Sequence, residues 1–102
     1  MGRAAFTLTI LPGMEEEYDR RHQEVWPELL ELMKAYGFRN YSIFRSGRSL
    51  FGYVENEGDV GGALAALHEH PIQQRWRDAM SDVLVRDRQM GFTFLDEVFH
   101  MD

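Results

Sequence analysis

The chain has 102 residues, enough for one domain with a single hydrophobic core. Its 17 acidic and 11 basic side chains give a formal net charge of −6, and a negative chain without a basic cluster is repelled by phosphate backbones and anionic membranes. It has no cysteine, which removes disulfides, thiolate nucleophiles and cysteine-ligated zinc. We therefore expect a single cytoplasmic domain over residues 1–102, with no nucleic-acid partner and no membrane span.

The first predicted elements are a strand and an interrupted helix. Residues 3–11 alternate apolar and polar side chains and are stopped by Pro12-Gly13. Residues 14–36 then have apolar side chains at helical spacing, and Gly37 is suited to cap the helix. Proline cannot occupy a helix interior, because it donates no N–H and its ring clashes with the carbonyl four residues back. We predict two helical pieces with a kink near Trp26, the second beginning at Pro27.

The second half of the chain contains a hairpin, two helices and a last strand. Residues 38–45 and 50–55 alternate around the turn sequence SGRS, which is typical of a β-hairpin. A short helix is predicted over residues 63–68, and Pro71 fits the first turn of another. After a polar stretch at residues 86–89, residues 92–101 form the last predicted strand. The apolar stripe predicted for the final helix consists of Ile72, Trp76, Met80 and Val83.

This β-α-β-β-α-β order is that of the ferredoxin-like split unit, an α+β fold with a four-stranded antiparallel sheet. The strands carry apolar side chains on both faces, whereas the helices cover only one face. An uncovered apolar face of that size is unusual in a monomer, so we expect a homodimer that forms a dimeric α/β barrel by two-fold symmetry. The apolar strand residues are Phe6, Leu8, Tyr41, Ile43, Phe44, Phe51, Tyr53, Leu95, Val98 and Phe99.

Four side chains are candidates for a small-molecule site. Tyr18 and His22 lie one helical turn apart, and an imidazole near neutral pH can give or take a proton. The alternative for His22 is a partly exposed histidine without a role. Trp76 and Tyr41 fit either core packing or the apolar wall of a sugar site, and their positions in the sequence do not separate the two.

The remaining histidines are weaker candidates. His68 and His70 form an H-x-H pair, which occurs in some metal sites, but no third ligand stands at a fixed spacing. His100, near the end of the chain, is interpreted as a surface residue. The sequence also lacks a phosphate-binding glycine loop and a nucleophile elbow. We expect neither a metal nor a cofactor.

Four segments occur along the chain in the order EYDRRHQEVWPEL, NYSIF, QRWRDAMSDV and EVF. By the order and spacing of these segments, the whole chain resembles the L-rhamnose mutarotase family. The resemblance implies a ferredoxin-like homodimer that interconverts the anomers of L-rhamnose without cofactor or metal. By position, His22 corresponds to the family's proton donor, and Tyr18, Tyr41 and Trp76 to its sugar-contacting residues. The resulting hypothesis is that His22 protonates the ring oxygen as the sugar opens.

One residue departs from the family pattern, since Arg77 stands where the resemblance implies a second tryptophan. Arginine brings five donors and a fixed charge in place of an apolar plate. Two interpretations follow: Arg77 hydrogen-bonds a sugar hydroxyl at the rim of the pocket, or the preference shifts towards a more acidic sugar. The resemblance identifies no general base. Alternative functions on this fold are a cofactor-free monooxygenase, a haem-degrading enzyme and a non-catalytic ligand-binding module.

Overall fold

The computed structural model of the chain describes residues 2–85 and 93–102. Its strands form one antiparallel sheet in the order β2-β3-β1-β4, with the helices packed on one face. The α+β class and the four-stranded antiparallel sheet are therefore confirmed for the described residues. The elements are β1 (Gly2–Thr9), α1 (Glu15–His22), α2 (Pro27–Ala35), β2 (Phe38–Ser46), β3 (Ser49–Asn56), α3 (Val60–Glu69), α4 (Pro71–Ala79) and β4 (Thr93–Leu95).

The predicted break in the first helix is confirmed. Helix α1 ends at His22 and α2 begins at Pro27, with Trp26 extended between them at φ −58° and ψ 128°. Pro27 occupies the first helical position, where its missing N–H has no intrahelical partner to lose. Gly37 follows α2 with φ 89°, a left-handed conformation that glycine adopts without strain. The break separates the two helices, so that His22 is the last residue of α1.

Helix α3 is longer than the predicted 63–68, because it begins at Val60. Asp59 caps it by accepting a hydrogen bond from the backbone N–H of Gly61 at 3.2 Å. Helix α4 begins at Pro71 as predicted, and His70 caps it through Nδ1, which accepts from the N–H of Ile72 at 3.1 Å. The H-x-H histidine nearest the proline therefore has a structural partner.

The prediction for the last strand is wrong in its length. Of residues 92–101, only Thr93–Leu95 pair with β1; residue 92 and the polar segment 86–89 lie outside the described residues. Among the described residues, strand β4 pairs on one side only, and the acidic Asp96 and Glu97 interrupt the apolar alternation there. Beyond Leu95 the backbone pairing of β1 with β4 stops, and Arg3 of β1 contacts Glu97 through their side chains. The remaining residues up to 102 are exposed, including Val98 at 93%.

The hydrophobic core lies between the sheet and the helices. Trp76 of α4 packs against both of its clusters, so the two are joined through one side chain. Within residues 2–85 and 93–102, no helix has the length and apolar character required to cross a bilayer. One cluster contains Phe6, Leu8, Ile10, Tyr18, Leu50, Met80 and Val83, and the other Leu29, Phe38, Val54 and Leu67.

Candidate active site

A cleft lies between the helices and strand β2. Its largest chamber has a volume of about 770 Å³, and two smaller chambers of about 90 and 80 Å³ adjoin it. Met33 and Tyr41 line all three chambers, so we treat them as one continuous cleft. Its size is within the range of small-molecule sites, roughly 300–1,000 Å³.

His22, the last residue of α1, is held in the cleft wall by three contacts. Its ring stacks on Tyr18 with centroids 4.0 Å apart, and it makes a T-shaped contact with the ring of Trp76 with centroids 5.5 Å apart. Its Nδ1 lies 3.1 Å from the backbone carbonyl of Tyr18. Because a carbonyl oxygen only accepts, Nδ1 must carry the hydrogen of this bond.

The protonation state of His22 follows from these surroundings. Burial lowers the pKa of His22 below its ordinary 6.5, and the Tyr18 carbonyl and Asp19 only partly oppose this effect. The imidazole is therefore neutral near pH 7, with its proton on Nδ1 and a lone pair on Nε2. No residue within 2–85 or 93–102 forms a hydrogen bond with Nε2. The ring can accept a proton at Nε2 and return it.

Tyr18 and Tyr41 place two phenols beside this imidazole. Tyr18 is only 4% exposed, and burial, followed by the neighbouring Tyr41, raises its pKa. Burial also raises the pKa of the Tyr41 phenol, although 40% of the whole residue is exposed. The pKa values of both phenols are raised further above neutral pH, so both hydroxyls keep their protons and can donate hydrogen bonds.

A β-bulge turns Tyr41 towards the cleft. In the pairing of β2 with β3, Arg39 faces Glu55 and Ser42 faces Tyr53, which leaves an extra residue in β2 between these pairs. Asn40 takes the left-handed conformation there, with φ 51°. Since side chains alternate along a strand, one inserted residue moves Tyr41 to the same face as Phe38. The bulge therefore delivers a phenol to the helix-facing side of the sheet.

Trp76 forms another part of the cleft wall. It lies on α4, lines the largest chamber, and is backed by Trp26, whose ring meets it edge-on at 5.2 Å. The helix break at Pro27 places Trp26 behind Trp76 rather than on a stripe with Tyr18 and His22. Trp76 therefore acts as both core residue and cleft wall, two alternatives that the sequence left open.

Arg77 lines both small chambers and is anchored by His68. Its Nη1 contacts Nδ1 of His68 and donates to the carbonyl oxygen of the same residue at 3.0 Å. Burial, and then the positive charge of Arg77, lower the pKa of His68. The neutral imidazole can accept through Nδ1, which fixes one side of the guanidinium in the cleft wall.

A family model described as L-rhamnose mutarotase matches residues 3–101. An L-rhamnose mutarotase from Opitutus terrae is 42% identical, with both chains covered in full. The chain belongs to the L-rhamnose mutarotase family. The crystal structure of an L-rhamnose mutarotase from Formosa agariphila superposes with a TM-score of 0.81 at 30% identity, again over both whole chains. A tetracenomycin F2 cyclase from Streptomyces glaucescens shares the fold, with a TM-score of 0.69 over both whole chains at 18% identity.

Membership of the L-rhamnose mutarotase family favours anomer exchange over the alternative monooxygenase, haem-degrading and ligand-binding functions. All five residues that the sequence analysis assigned to the site line the cleft: Tyr18, His22, Tyr41, Trp76 and Arg77. Their individual roles stay predictions.

Met33 and Gln73 are among the cleft residues of this L-rhamnose mutarotase family member that were not assigned to the site from the sequence. Met33 lines every chamber, and Gln73 lines both small ones. Gln73 precedes Trp76 by three residues and Arg77 by four on α4, and this helical spacing was the available signal.

The other histidines are occupied by protein contacts. His70 caps α4, His68 holds Arg77, and His100 pairs with Asp102 at 2.8 Å. Within residues 2–85 and 93–102, no group of three or more histidine, cysteine, aspartate or glutamate side chains is arranged to hold a metal ion.

Proposed function

We propose that this protein is an L-rhamnose mutarotase that exchanges the α and β anomers of the free sugar without a cofactor, in rhamnose catabolism. The observation that carries the proposal is the state of His22: a neutral imidazole in contact with Tyr18 and Trp76, which lines a cleft of suitable size and whose Nε2 bonds no residue within 2–85 or 93–102. Full-length similarity to proteins named L-rhamnose mutarotase supports L-rhamnose as the substrate.

The proposed reaction uses the two states of this imidazole in turn. Nε2 of His22 takes the proton of the anomeric hydroxyl, and the electron pair of that O–H bond becomes the second bond of the carbonyl. The bond between the anomeric carbon and the ring oxygen breaks, and the ring oxygen receives the proton from Nε2–H. Rotation of the aldehyde and reversal of the same steps close the ring on the other face. No covalent intermediate with the protein is required.

The tyrosines and the tryptophan are proposed to hold the sugar during these steps. Protonated Tyr18 and Tyr41 hydroxyls donate to sugar oxygens, while Trp76 presents an apolar face to the methyl-bearing side of the ring. His22 is then the proton carrier, and its neighbours position the sugar.

The protein is further proposed to be a homodimer joined through the open face of its sheet. Phe44, Phe51 and Leu95 on this face are exposed by 63%, 43% and 42%. The cross-strand pair of Phe44 with Phe51 makes the surface continuous. A second copy related by a two-fold axis brings the same apolar residues against each other, which is the simplest closed arrangement. The exposed Phe99 and Met101 of the tail add to the surface that such a partner would bury.

A single domain over residues 1–102 and a cytoplasmic location complete the proposal. Trp76 joins both core clusters, which supports one cooperative unit, and a chain without cysteine has no dependence on an oxidising compartment. A single unfolding transition, with the same midpoint by fluorescence and by circular dichroism, would support a single domain. Cell fractionation would test the cytoplasmic location.

The decisive experiment is exchange NMR on L-rhamnose, in which the enzyme accelerates magnetisation transfer between the two anomeric protons. The parent should accelerate exchange, and His22→Ala should lose about 10²- to 10⁴-fold in kcat/KM. Gln23→Ala changes the adjacent, exposed residue and should match the parent. An His22→Ala variant that exchanges anomers as fast as the parent would remove the imidazole from the mechanism.

A further inference from the structure

The side-chain oxygen of Gln73 is buried in the wall of the cleft without a donor. Gln73 Oε1 accepts no hydrogen bond from any residue within 2–85 or 93–102. The residue lies on α4 and lines both small chambers, one of which it shares with His22. Burying an amide oxygen without a partner is unfavourable, because the water it bonded in the unfolded chain is not replaced. Gln73 Oε1 is therefore an acceptor in the wall of the cleft for which residues 2–85 and 93–102 supply no donor.

Arg77 presents donors next to this acceptor. It follows Gln73 by one turn of α4, so the two side chains are neighbours on one face of the helix, and both line the same two chambers. The bond from Nη1 to the carbonyl oxygen of His68 and the contact with its ring hold the guanidinium in place. The position combines one fixed cationic donor with one unsatisfied neutral acceptor.

We propose that Gln73 and Arg77 together bind one hydroxyl group of the sugar, which donates to Gln73 Oε1 and accepts from the guanidinium of Arg77. A hydroxyl is the common sugar substituent that both donates and accepts. A carboxylate would suit Arg77 but would set a second oxygen against Gln73 Oε1, and a methyl group would satisfy neither. The pair therefore selects neutral, hydroxylated sugars over uronic acids. This inference rests on the proposed mutarotation, since the hydroxyl belongs to the sugar bound beside His22.

The first test compares Gln73→Leu with Gln74→Leu in exchange NMR on L-rhamnose. Leucine is close to glutamine in size and removes its polar atoms, so Gln73→Leu should lower kcat/KM about five- to tenfold, mainly through KM. Gln74, the adjacent glutamine, is exposed and bonds the carbonyl of Glu69, so its replacement should leave the kinetics unchanged. Exchange by the parent is measured beforehand. Its absence would refute the mutarotation itself, whereas an active parent with unchanged Gln73→Leu kinetics refutes only the subsite.

The second test identifies the hydroxyl with sugars that each lack one of the hydroxyl groups of L-rhamnose. For the analogue that lacks the bound hydroxyl, the kcat/KM of the parent should fall by about the factor by which Gln73→Leu lowers it on L-rhamnose. With the same analogue, the Gln73→Leu variant should show no further loss relative to its own kcat/KM on L-rhamnose. Additive losses for every analogue would overturn the subsite.

Filling the position with an apolar side chain should also leave the Tm of the sugar-free protein unchanged or higher. A lower Tm with an unaltered KM would instead mean that Gln73 serves packing, and faster exchange of a uronic acid than of L-rhamnose would equally contradict the proposal.

Discussion

The imidazole of His22 stacks on the ring of Tyr18 at 4.0 Å, while its Nδ1 is held 3.1 Å from the backbone carbonyl of the same tyrosine. One residue thus sets both the plane of the imidazole and its tautomer. The spacing of four residues on α1 is sufficient for both contacts, because such residues lie one above the other on a helix. Among the described aromatic contacts of His22, only the contact with Trp76 comes from a different helix.

The first prediction concerns pH. Burial lowers the pKa of His22 below 6.5, and the proposed first step needs the neutral ring. Catalysed exchange should therefore be constant at neutral pH and fall as the pH drops through this lowered value, because protonation removes the lone pair of Nε2. The measurement is kcat/KM for L-rhamnose against pH, corrected for exchange in buffer. A rate that increases on acidification would make the imidazolium the reactive form and would require a separate base.

The second prediction concerns the Tyr41 hydroxyl. Tyr41→Phe keeps the ring that meets Phe6 edge-on at 6.1 Å but removes the donor. The loss of one hydrogen bond to the sugar should lower kcat/KM about three- to tenfold with little change in Tm. Tyr36→Phe is the matched control, since Tyr36 is partly buried at the end of α2 and lines none of the three chambers described above. Equal activities for Tyr41→Phe and the parent would exclude this hydroxyl from sugar binding.

Local sequence chemistry accounted for most of the fold but not for the orientation of Tyr41. Pro27, Gly37 and Pro71 each restrict the backbone at their own positions, so their effects on helix ends could be predicted without tertiary information. Strict alternation from Phe38 would direct Tyr41 to the open face of the sheet. The bulge at Asn40 reverses this, and asparagine is compatible with the left-handed conformation without requiring it.

The same limit applies to the site but not to the last strand. Tyr18 and His22 are neighbours on one helix, so the pair could be predicted, whereas the cleft that joins them to Trp76 and Arg77 depends on how α1 packs against α4. Strand β4 ends at Leu95 although β1 continues to Gly2, and the acidic Asp96 and Glu97 inside the predicted strand were the available sign of this early end. Gln73 was missed because a polar residue followed by another glutamine and an arginine on a helix gives no sign of burial.

The third prediction concerns the proposed dimer. Phe44→Asp places a charge on the exposed apolar face of the sheet, so the variant should elute as a monomer in size-exclusion chromatography with light scattering, whereas the parent elutes as a dimer. Ala65→Asp adds the same charge to an exposed position of α3, away from the sheet, and should remain dimeric. A monomeric parent at every concentration, or an Phe44→Asp dimer, would exclude this interface.

The fourth prediction links core packing to the cleft. Gly52 pairs with Phe6 across the β1–β3 ladder, and a Cβ at Gly52 would overlap the Phe6 ring, which in turn contacts Tyr41. Gly52→Ala should cost about 1–3 kcal/mol through overpacking, at roughly 4–8 °C of Tm per kcal/mol for a chain of this size. It should also raise KM, because the displaced ring moves Tyr41.

The control for Gly52→Ala is a glycine with room for a methyl group. A Cβ at Gly61 of α3 would make only an ordinary contact, 3.6 Å from Asp59 Oδ1, and alanine favours a helix more than glycine does. Gly61→Ala should therefore keep or raise the Tm and leave KM unchanged. Adding Phe6→Leu to Gly52→Ala removes the overlapping ring atoms and should recover part of the lost Tm while KM stays high, since Tyr41 loses its aromatic neighbour. If Gly52→Ala melts with the parent and binds L-rhamnose equally well, the Phe6 ring does not position Tyr41.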